Sequence, residues 1–485
     1  MMSLRFAANQ GLARALAKLG GVHFQTMSSP ALMISVSGIR GVIGSAFTPG
    51  MALDFVQAYA AYLKKSNPRP LVLLARDTRP SGQMMYHAVL SGLMASGCRI
   101  VDLGVVATPT LQLAIPRHKA DGAICITASH NPVEWNALKF FAPSGMYLDK
   151  AQGTEVIDLY KAKDFDCGSW RDMGTLEDDP LAIEAHIEAI LDLVDVEAIR
   201  ARKFKVVLDA CCGAGGTISP ELLERLDCDV KVINGELTGL FPHNPEPLNE
   251  NLVQLCNAVK MHGADIGFAH DADADRVAIV TDEGECIGED YSLVWGVAHV
   301  LKHRVQGPVV TNLSTTRAVE TVASQYGQET FRTPVGDANV SGKMKAVNAA
   351  IGGEGNGGVI WPEMQLGRDG IAAIALTLEF LAKEGKTASE IDEELPRYCI
   401  LKTVHEFPLE RVPQLLQWLK VKEKNAEVNE DDGLRLSFAD GSWVHVRPSG
   451  TEPFVRLILE ADTREKALRI QKDFKEEIES VAGAW

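Results

Sequence analysis

Residues 71–104 read LVLLARDTRPSGQMMYHAVLSGLMASGCRIVDLG. LVLLARD (71–77) is an apolar run of strand length, SGQMMYHAVLSGLMASG (81–97) carries its apolar residues at helical spacing, and RIVDLG (99–104) returns to a strand. Strand, helix and strand in such quick succession imply a crossover between parallel neighbours. GAICITAS (122–129) is a further buried strand, so this part of the chain predicts a parallel sheet with helices on its faces.

The same alternation recurs downstream. LAIEAHIEAILDLVD (181–195) reads as an amphipathic helix, KVVLDACCGAGG (205–216) as a strand entering a glycine turn, and SPELLERLD (219–227) as a capped helix. DIGFAHDADADRVAIVTDEG (265–284) runs strand, acidic loop, strand. GPVVTNLST (307–315) and RAVETVASQYG (317–327) open a third unit; RLSFADG, SWVHVRP and VRLILEA (435–461), followed by a charged helix, form a smaller α+β tail. The expected division is 1–32 (an N-terminal extension), 33–179, 180–303, 304–397 and 398–485. On layout alone, three α/β units look like divergent repeats.

The composition, 46% hydrophobic and 23% charged, is that of an ordinary globular protein, and no apolar run reaches the ~20 residues that span a bilayer. A net charge of −16 argues against a nucleic-acid partner. Nine scattered cysteines without a CxxC pair fit a reducing, cytoplasmic setting, with Cys211-Cys212 packed at a strand end. Residues 1–32 hold Arg5, Arg14 and Lys18 but no acid, and LARALAKLGG (12–21) reads as a short amphipathic helix. Either a targeting peptide or, preferred, an extended start ahead of a fold beginning near Met33 accounts for them.

Chemistry concentrates in four stretches. Asp271, Asp273 and Asp275, spaced by single alanines, can converge on one hard cation if the backbone curls, and Arg276 beside them can reach a phosphate. The run does not fit an EF-hand, since loop position six is Arg276 and position twelve is Asp282. Thr127-Ala-Ser129-His130-Asn131-Pro132 sets a serine and a histidine in a turn, as a nucleophile or as an ordinary strand exit. Gly352-Gly-Glu354-Gly-Asn356-Gly-Gly358 offers an acid and an amide suited to sugar hydroxyls, but lacks the Lys-Ser/Thr ending of a P-loop. Arg447-Pro-Ser449-Gly450-Thr451-Glu-Pro453, with Arg456 close by, offers a phosphate grip. GAGG (213–216) lacks dinucleotide-binding spacing and reads as a plain turn.

TASHNP, DADADR, the Gly-Glu loop and RPSGTEP follow one another at about one per unit, and this order resembles the α-D-phosphohexomutase superfamily. SGIRG (37–41), ARDTRPSG (75–82), FPHNPEPLNENL (241–252) and GRDG (367–370) agree with it, so the likeness runs from Met33 to the end. The resemblance implies three α/β domains with mixed sheets and a smaller C-terminal domain around a central cleft. It further implies an isomerase that moves a phosphoryl group between C1 and C6 of a hexose phosphate, through a phosphorylated Ser129 and a sugar bisphosphate, with Mg²⁺ held by Asp271, Asp273, Asp275 and the phosphoserine. Glu354 and Asn356 would meet the sugar, Arg447, Ser449, Gly450, Thr451 and Arg456 the distal phosphate, and Arg40, His130 and Lys139 the reacting group. Glucose 1,6-bisphosphate or an equivalent is the implied activator; a monomer or homodimer in the cytoplasm is expected.

Many relatives read Gly-Glu-x-Ser-Gly-His in the sugar loop, where this chain has Asn356 and Gly358, so His130 and Lys139 become the acid–base candidates. Thr333-Pro-Val-Gly-Asp337 resembles phosphoglucosamine mutases and tilts the expected substrate to glucosamine phosphate; FPHNPEPLNENL points instead to phosphomannomutases and phosphoglucomutases. Competing readings are a metal-dependent phosphatase with an aspartyl intermediate and a sugar-phosphate sensor without turnover.

Overall fold

The computed structural model describes residues 32–448 and 453–483. The amphipathic stretch expected at 12–21, and Ser449, Gly450 and Thr451, lie outside the described residues.

The quoted segment folds as strand Leu71–Arg76, helix Gly82–Ala95 and strand Arg99–Val105. Its sheet has seven strands, with Gly122–Ile126 parallel to Leu71–Arg76 on one side and Arg99–Val105 parallel on the other. Trp135–Phe141 then pairs antiparallel with Gly122–Ile126. The second sheet repeats this plan: Lys205–Asp209 between Asp229–Ile233 and Ile266–His270, all parallel, with Val277–Thr281 antiparallel at the edge. The third repeats it again with Val309–Asn312, Thr330–Thr333, Ile351–Glu354 and Gly358–Ile360. The repeat inferred from layout is thus one strand order used three times. The fourth sheet is antiparallel throughout, with five strands between Cys399 and Ala461, backed by helices Val412–Lys422 and Arg464–Gly483.

This strand order carries a consequence for function. Each central strand has parallel neighbours reached in opposite directions, a switch point at which ligands bind outside the carboxyl ends. In all three units the loop that closes the antiparallel hairpin leaves from that point. These loops are residues 127–134, 271–276 and 355–357, the segments singled out above for their chemistry. In each case the segment after the central strand braces the hairpin loop, through Arg79 in the first unit, Ala214 in the second and Thr315, which accepts from the Gly355 N–H, in the third.

Helix Tyr291–His303, the last element of the expected second unit, packs on Val277–Thr281 of the second sheet, on Ile351–Glu354 of the third and on helix Gly370–Glu384, so it lies between the two units. Gly370–Glu384 is apolar almost all round and buried, and it touches both the second and third units, as a helix hydrophobic on every face requires. Asp369 caps it by accepting from the backbone N–H of Ile371 and Ala372, a contribution of about 1 kcal/mol. One apolar cluster thus joins the second and third units, from Ile187 to Ile391, and takes in Ala107 of the first. No helix among the described residues is long and apolar enough to cross a membrane.

The fourth unit meets the third mainly through polar contacts. Arg435 Nη1 donates to the Leu313 carbonyl at 3.0 Å, and the Val335 N–H donates to Asp432 Oδ2 at 3.0 Å. His445, fully buried, bonds Ser314 Oγ at 2.9 Å and the Asp432 carbonyl at 2.6 Å. Burial holds its imidazole at about 4, against the pull of the Asp432 carbonyl. A base depressed on folding contributes full stability above its unfolded value of 6.5, and that contribution is lost as pH falls toward 4. At stake is on the order of 3 kcal/mol. Urea titrations at pH 7 and pH 5 should therefore show the wild type losing more stability on acidification than His445→Gln; parallel losses would show that the imidazole stays neutral in neither state.

Candidate active site

Ser129 follows strand Gly122–Ile126 in a left-handed backbone conformation with φ of 49°. A non-glycine residue is strained there, and such strain persists only where surrounding bonds hold it. The Ser129 N–H donates to Thr127 Oγ1 at 3.0 Å, and Thr127 Oγ1 in turn donates to Asp77 Oδ2 at 2.6 Å. Arg79, buried to 1% exposure, donates to the carbonyls of Ser129, Asn131, Pro132 and Trp135 and from Nε to Asp77 Oδ2. The strained turn is thereby pinned, and Ser129 Oγ points across the unit boundary to donate to Asp271 Oδ2 at 2.7 Å.

The acidic run curls as its spacing requires. Ala274 is left-handed, with φ of 55°, and one oxygen from each of Asp271, Asp273 and Asp275 lies within 4.8 Å of the others. The turn from GAGG supports this curl from behind: Ala214 N–H donates to the Ala272 carbonyl at 2.8 Å, and a Cβ at Gly213 would lie 2.7 Å from that carbonyl oxygen. That motif is therefore a brace for the acidic loop and lies far from any nucleotide geometry. Cys211 and Cys212 sit buried at the adjoining strand end, as expected.

The charges in the acidic loop are only partly balanced. Lys139 Nζ lies 2.7 Å from Asp273 Oδ2 and 3.6 Å from Asp275 Oδ2. Thr108, whose position gave no signal in the sequence, donates from Oγ1 to Asp273 Oδ2 at 2.6 Å. Burial works against the charge of Asp273, but Lys139 and Thr108 outweigh it and hold the carboxyl well below its ordinary range. Asp271 goes the other way, pushed well up by burial and by its neighbours Asp275 and Asp273. The Oδ1 atoms of all three aspartates are buried without a hydrogen-bond partner. Three orphaned carboxylate oxygens in one small space form a hard oxygen donor set, and they fit a divalent cation such as Mg²⁺.

The other expected residues gather around this centre. Arg276 Nη2 lies 2.9 Å from His130 Nδ1, and its Nε lies 3.9 Å from Asp271 and 3.8 Å from Asp275. Burial and the arginines Arg276, Arg40 and Arg368 hold His130 well below its ordinary value, so it is a neutral imidazole. Burial opposes the charge of Lys139, but Asp273, Tyr147 and Asp275 outweigh it and keep the ammonium protonated. Arg40 Nη1 donates to Asn131 Oδ1 at 3.4 Å. Glu354 is 3% exposed; its Oε1 accepts from Asn312 Nδ2 and from the Gly336 N–H, each at 2.9 Å, and Asn356 Oδ1 accepts from the Gly358 N–H at 3.2 Å.

Arg368, inside the GRDG stretch but without an assigned role in the sequence reading, donates to Asp275 Oδ2 at 2.6 Å and to Glu354 Oε2 at 3.1 Å. In the fourth unit Arg447 pairs with Asp432 at 3.1 Å and stands directly opposite Arg456 across an antiparallel strand pair. Two like charges so placed repel each other unless an anion lies between them.

Four family models match the chain in order: phosphoglucomutase/phosphomannomutase α/β/α domain I over residues 32–166, domain II over 184–284, domain III over 289–398 and the C-terminal domain over 410–477. A phosphoglucomutase/phosphomannomutase of Thermococcus kodakarensis is 40% identical over 433 residues, 89% of this chain and 94% of its own. A protein of Methanopyrus kandleri named as a phosphoglucosamine mutase is 36% identical over 441 residues, 90% of this chain and 96% of its own. The crystal structure of a phosphoglucomutase/phosphomannomutase family protein from Burkholderia thailandensis superposes with a TM-score of 0.80 at 28% identity, covering 93% of this chain and 99% of that one. Four domains in the family's order, relatives aligned over nearly their whole length and a serine aimed into a buried carboxylate triad agree that the chain belongs to the phosphoglucomutase/phosphomannomutase family, within the α-D-phosphohexomutase superfamily of isomerases.

Proposed function

We propose that this protein interconverts hexose 1- and 6-phosphates through a phosphorylated Ser129, with a preference for glucosamine phosphate. The observation that carries the reading is the 2.7 Å bond from Ser129 Oγ to Asp271 Oδ2 at the rim of the carboxylate triad. A phosphoserine adds about −1.5 to −2 charges, and Lys139, Arg276 and Arg40 stand around it to balance them.

In the first half-reaction the P–O bond to Ser129 Oγ breaks as a sugar hydroxyl oxygen bonds to phosphorus, and the hydroxyl proton leaves to a nearby base. Lys139 is held as an ammonium without a free lone pair, and Nδ1 of His130 accepts from Arg276, so the imidazole can take the proton only once Arg276 turns from it to the phosphoryl oxygens. The product is a sugar bisphosphate that turns round and returns its other phosphoryl group to Ser129. Arg447 and Arg456, with residues 449–451 of the same loop, hold the phosphate that is not reacting. Asp271, Asp273 and Asp275 would hold Mg²⁺, which when bound neutralises charge on the phosphoryl oxygens.

The leaning toward an amino sugar rests on Asp337. This carboxylate is buried, and neither oxygen has a hydrogen bond; Arg368 Nε at 3.1 Å forms an ion pair out of hydrogen-bond alignment. An ammonium at C2 of the sugar would suit it. The name of the Methanopyrus kandleri relative agrees, and that of the Thermococcus kodakarensis relative points to glucose and mannose.

Peptide mass mapping before and after incubation with glucose 1,6-bisphosphate tests the mechanism. The peptide bearing Ser129 should carry about 80 Da of added phosphoryl mass in one sample or both. A label on an aspartate, with release of inorganic phosphate, would replace the mutase by a phosphatase. Assay with glucosamine, glucose and mannose phosphates then ranks the sugars.

A further inference from the structure

Three carboxylates from three segments converge on Arg368. Nη2 meets Asp275 of the metal loop, Nη1 meets Glu354 of the sugar loop, and Nε faces Asp337 at the start of helix Asp337–Val347. The side chain reaches them through space left by a glycine. A Cβ on Gly358 would stand 2.3 Å from Arg368 Cδ and 3.1 Å from its Cγ, closer than packed carbon atoms approach. The backbone of Gly358 is outside the left-handed region, so any L-residue could adopt it. Glycine here answers to the bulk of Arg368. In the family pattern this position bears a histidine; in this chain the two side chains exclude each other.

We propose that Arg368 is the positioning residue of the sugar site, tying Glu354 to the metal loop at a fixed spacing, and that Gly358 is the opening that admits it. The proposal rests on the phosphohexomutase reading, in which Glu354 meets sugar hydroxyls. A planar guanidinium spans two carboxylates at once, which a lysine ammonium at the same position cannot do with equal geometry. Glu354 needs such a partner: burial disfavours its charge, and Arg368 leads the groups that overcome this and keep it ionised, ahead of Asn312 and the Gly336 N–H. Arg368 acts on the sugar through Glu354, so its loss should appear first in affinity.

Gly358→Ala is the decisive variant, because it leaves every charge in the chain and its methyl group meets the Arg368 stem. Asn356 Oδ1, at 3.0 Å, is its other close neighbour, so Gly358→Ala is also made in an Asn356→Ala background, where the loss through Arg368 should persist. Misplacement on the scale of 1 Å can cost about 10²-fold, so KM for the best-used hexose phosphate should rise at least about tenfold in Gly358→Ala and in Arg368→Ala. Calorimetric affinity for glucosamine 6-phosphate and glucose 6-phosphate should fall in step. The double variant of Gly358→Ala with Arg368→Ala should be no weaker than Arg368→Ala alone, since without the arginine chain the new methyl group keeps only the 3.0 Å approach to Asn356 Oδ1, and Arg368→Lys should recover part of the loss. A purely structural role would lower the active fraction and leave KM and affinity unchanged. Wild-type affinity in Gly358→Ala, or additive losses in the double variant, would overturn this inference while leaving the mutase intact. A wild type that neither binds nor converts either sugar phosphate would remove the mutase reading and this one with it.

Discussion

Alanine at position 129 should leave a folded protein whose turnover of hexose phosphates is lower by roughly 10⁴-fold or more, the scale seen when a covalent nucleophile is removed. Among the described residues, the neighbouring hydroxyls of Thr127 and Thr108 do not replace Ser129 Oγ, since they donate to Asp77 and Asp273. Alanine has the same Cβ and bears the same left-handed strain, so the melting temperature should scarcely move. Ser129→Gly makes the sharper comparison. Glycine relieves the strain at φ of 49° and should stabilise the fold slightly, yet it should be as inactive as alanine. Turnover within tenfold of wild type in either variant would take Ser129 out of the mechanism.

Arg79→Met should give the next largest effect, and on two scales at once. The guanidinium is buried with Asp77, and removing one member of a buried ion pair typically costs 3–5 kcal/mol, about 10 °C or more in a unit of this size. Four carbonyls of the serine loop lose their donor in the same step, so turnover measured well below the lowered transition should also fall, by about 10²-fold. Arg79→Lys separates the two effects. An ammonium keeps Asp77 paired but cannot span from Ser129 to Trp135, so most of the stability should return while turnover stays low. A Met variant with the wild-type melting temperature would show that the loop holds itself.

Legibility in the sequence followed the range of the interactions. The acidic run and the serine turn were plain because strand, turn and chemistry lie within about ten residues of each other, and the strand pattern was plain because apolar periodicity is local. Arg79 stood inside a quoted stretch, yet its partners are carbonyls some fifty residues on, and carbonyls leave no trace in side-chain identity. Thr108 and Arg368 reach Asp273 and Asp275 across unit boundaries, at sequence separations of 165 and 93. Against the family pattern Gly358 is a lost histidine; the packed side chain of Arg368 accounts for the space it leaves.

The apolar cluster that joins the second and third units has a mechanical meaning. By sequence there are four units, but the cation loop and the sugar loop ride on one interior, closed over helix Gly370–Glu384, and close packing of that kind does not deform by degrees. These two loops form an anvil. The fourth unit is fastened differently, by Lys402 to Glu289, Asp290 and the Gly355 carbonyl and by the bonds of Asp432 and His445, contacts that can be exchanged one at a time for water. If the bisphosphate of the proposed mechanism turns end over end, the swing room for it comes from that side of the cleft, while the acidic loop and the Gly-Glu loop keep their spacing.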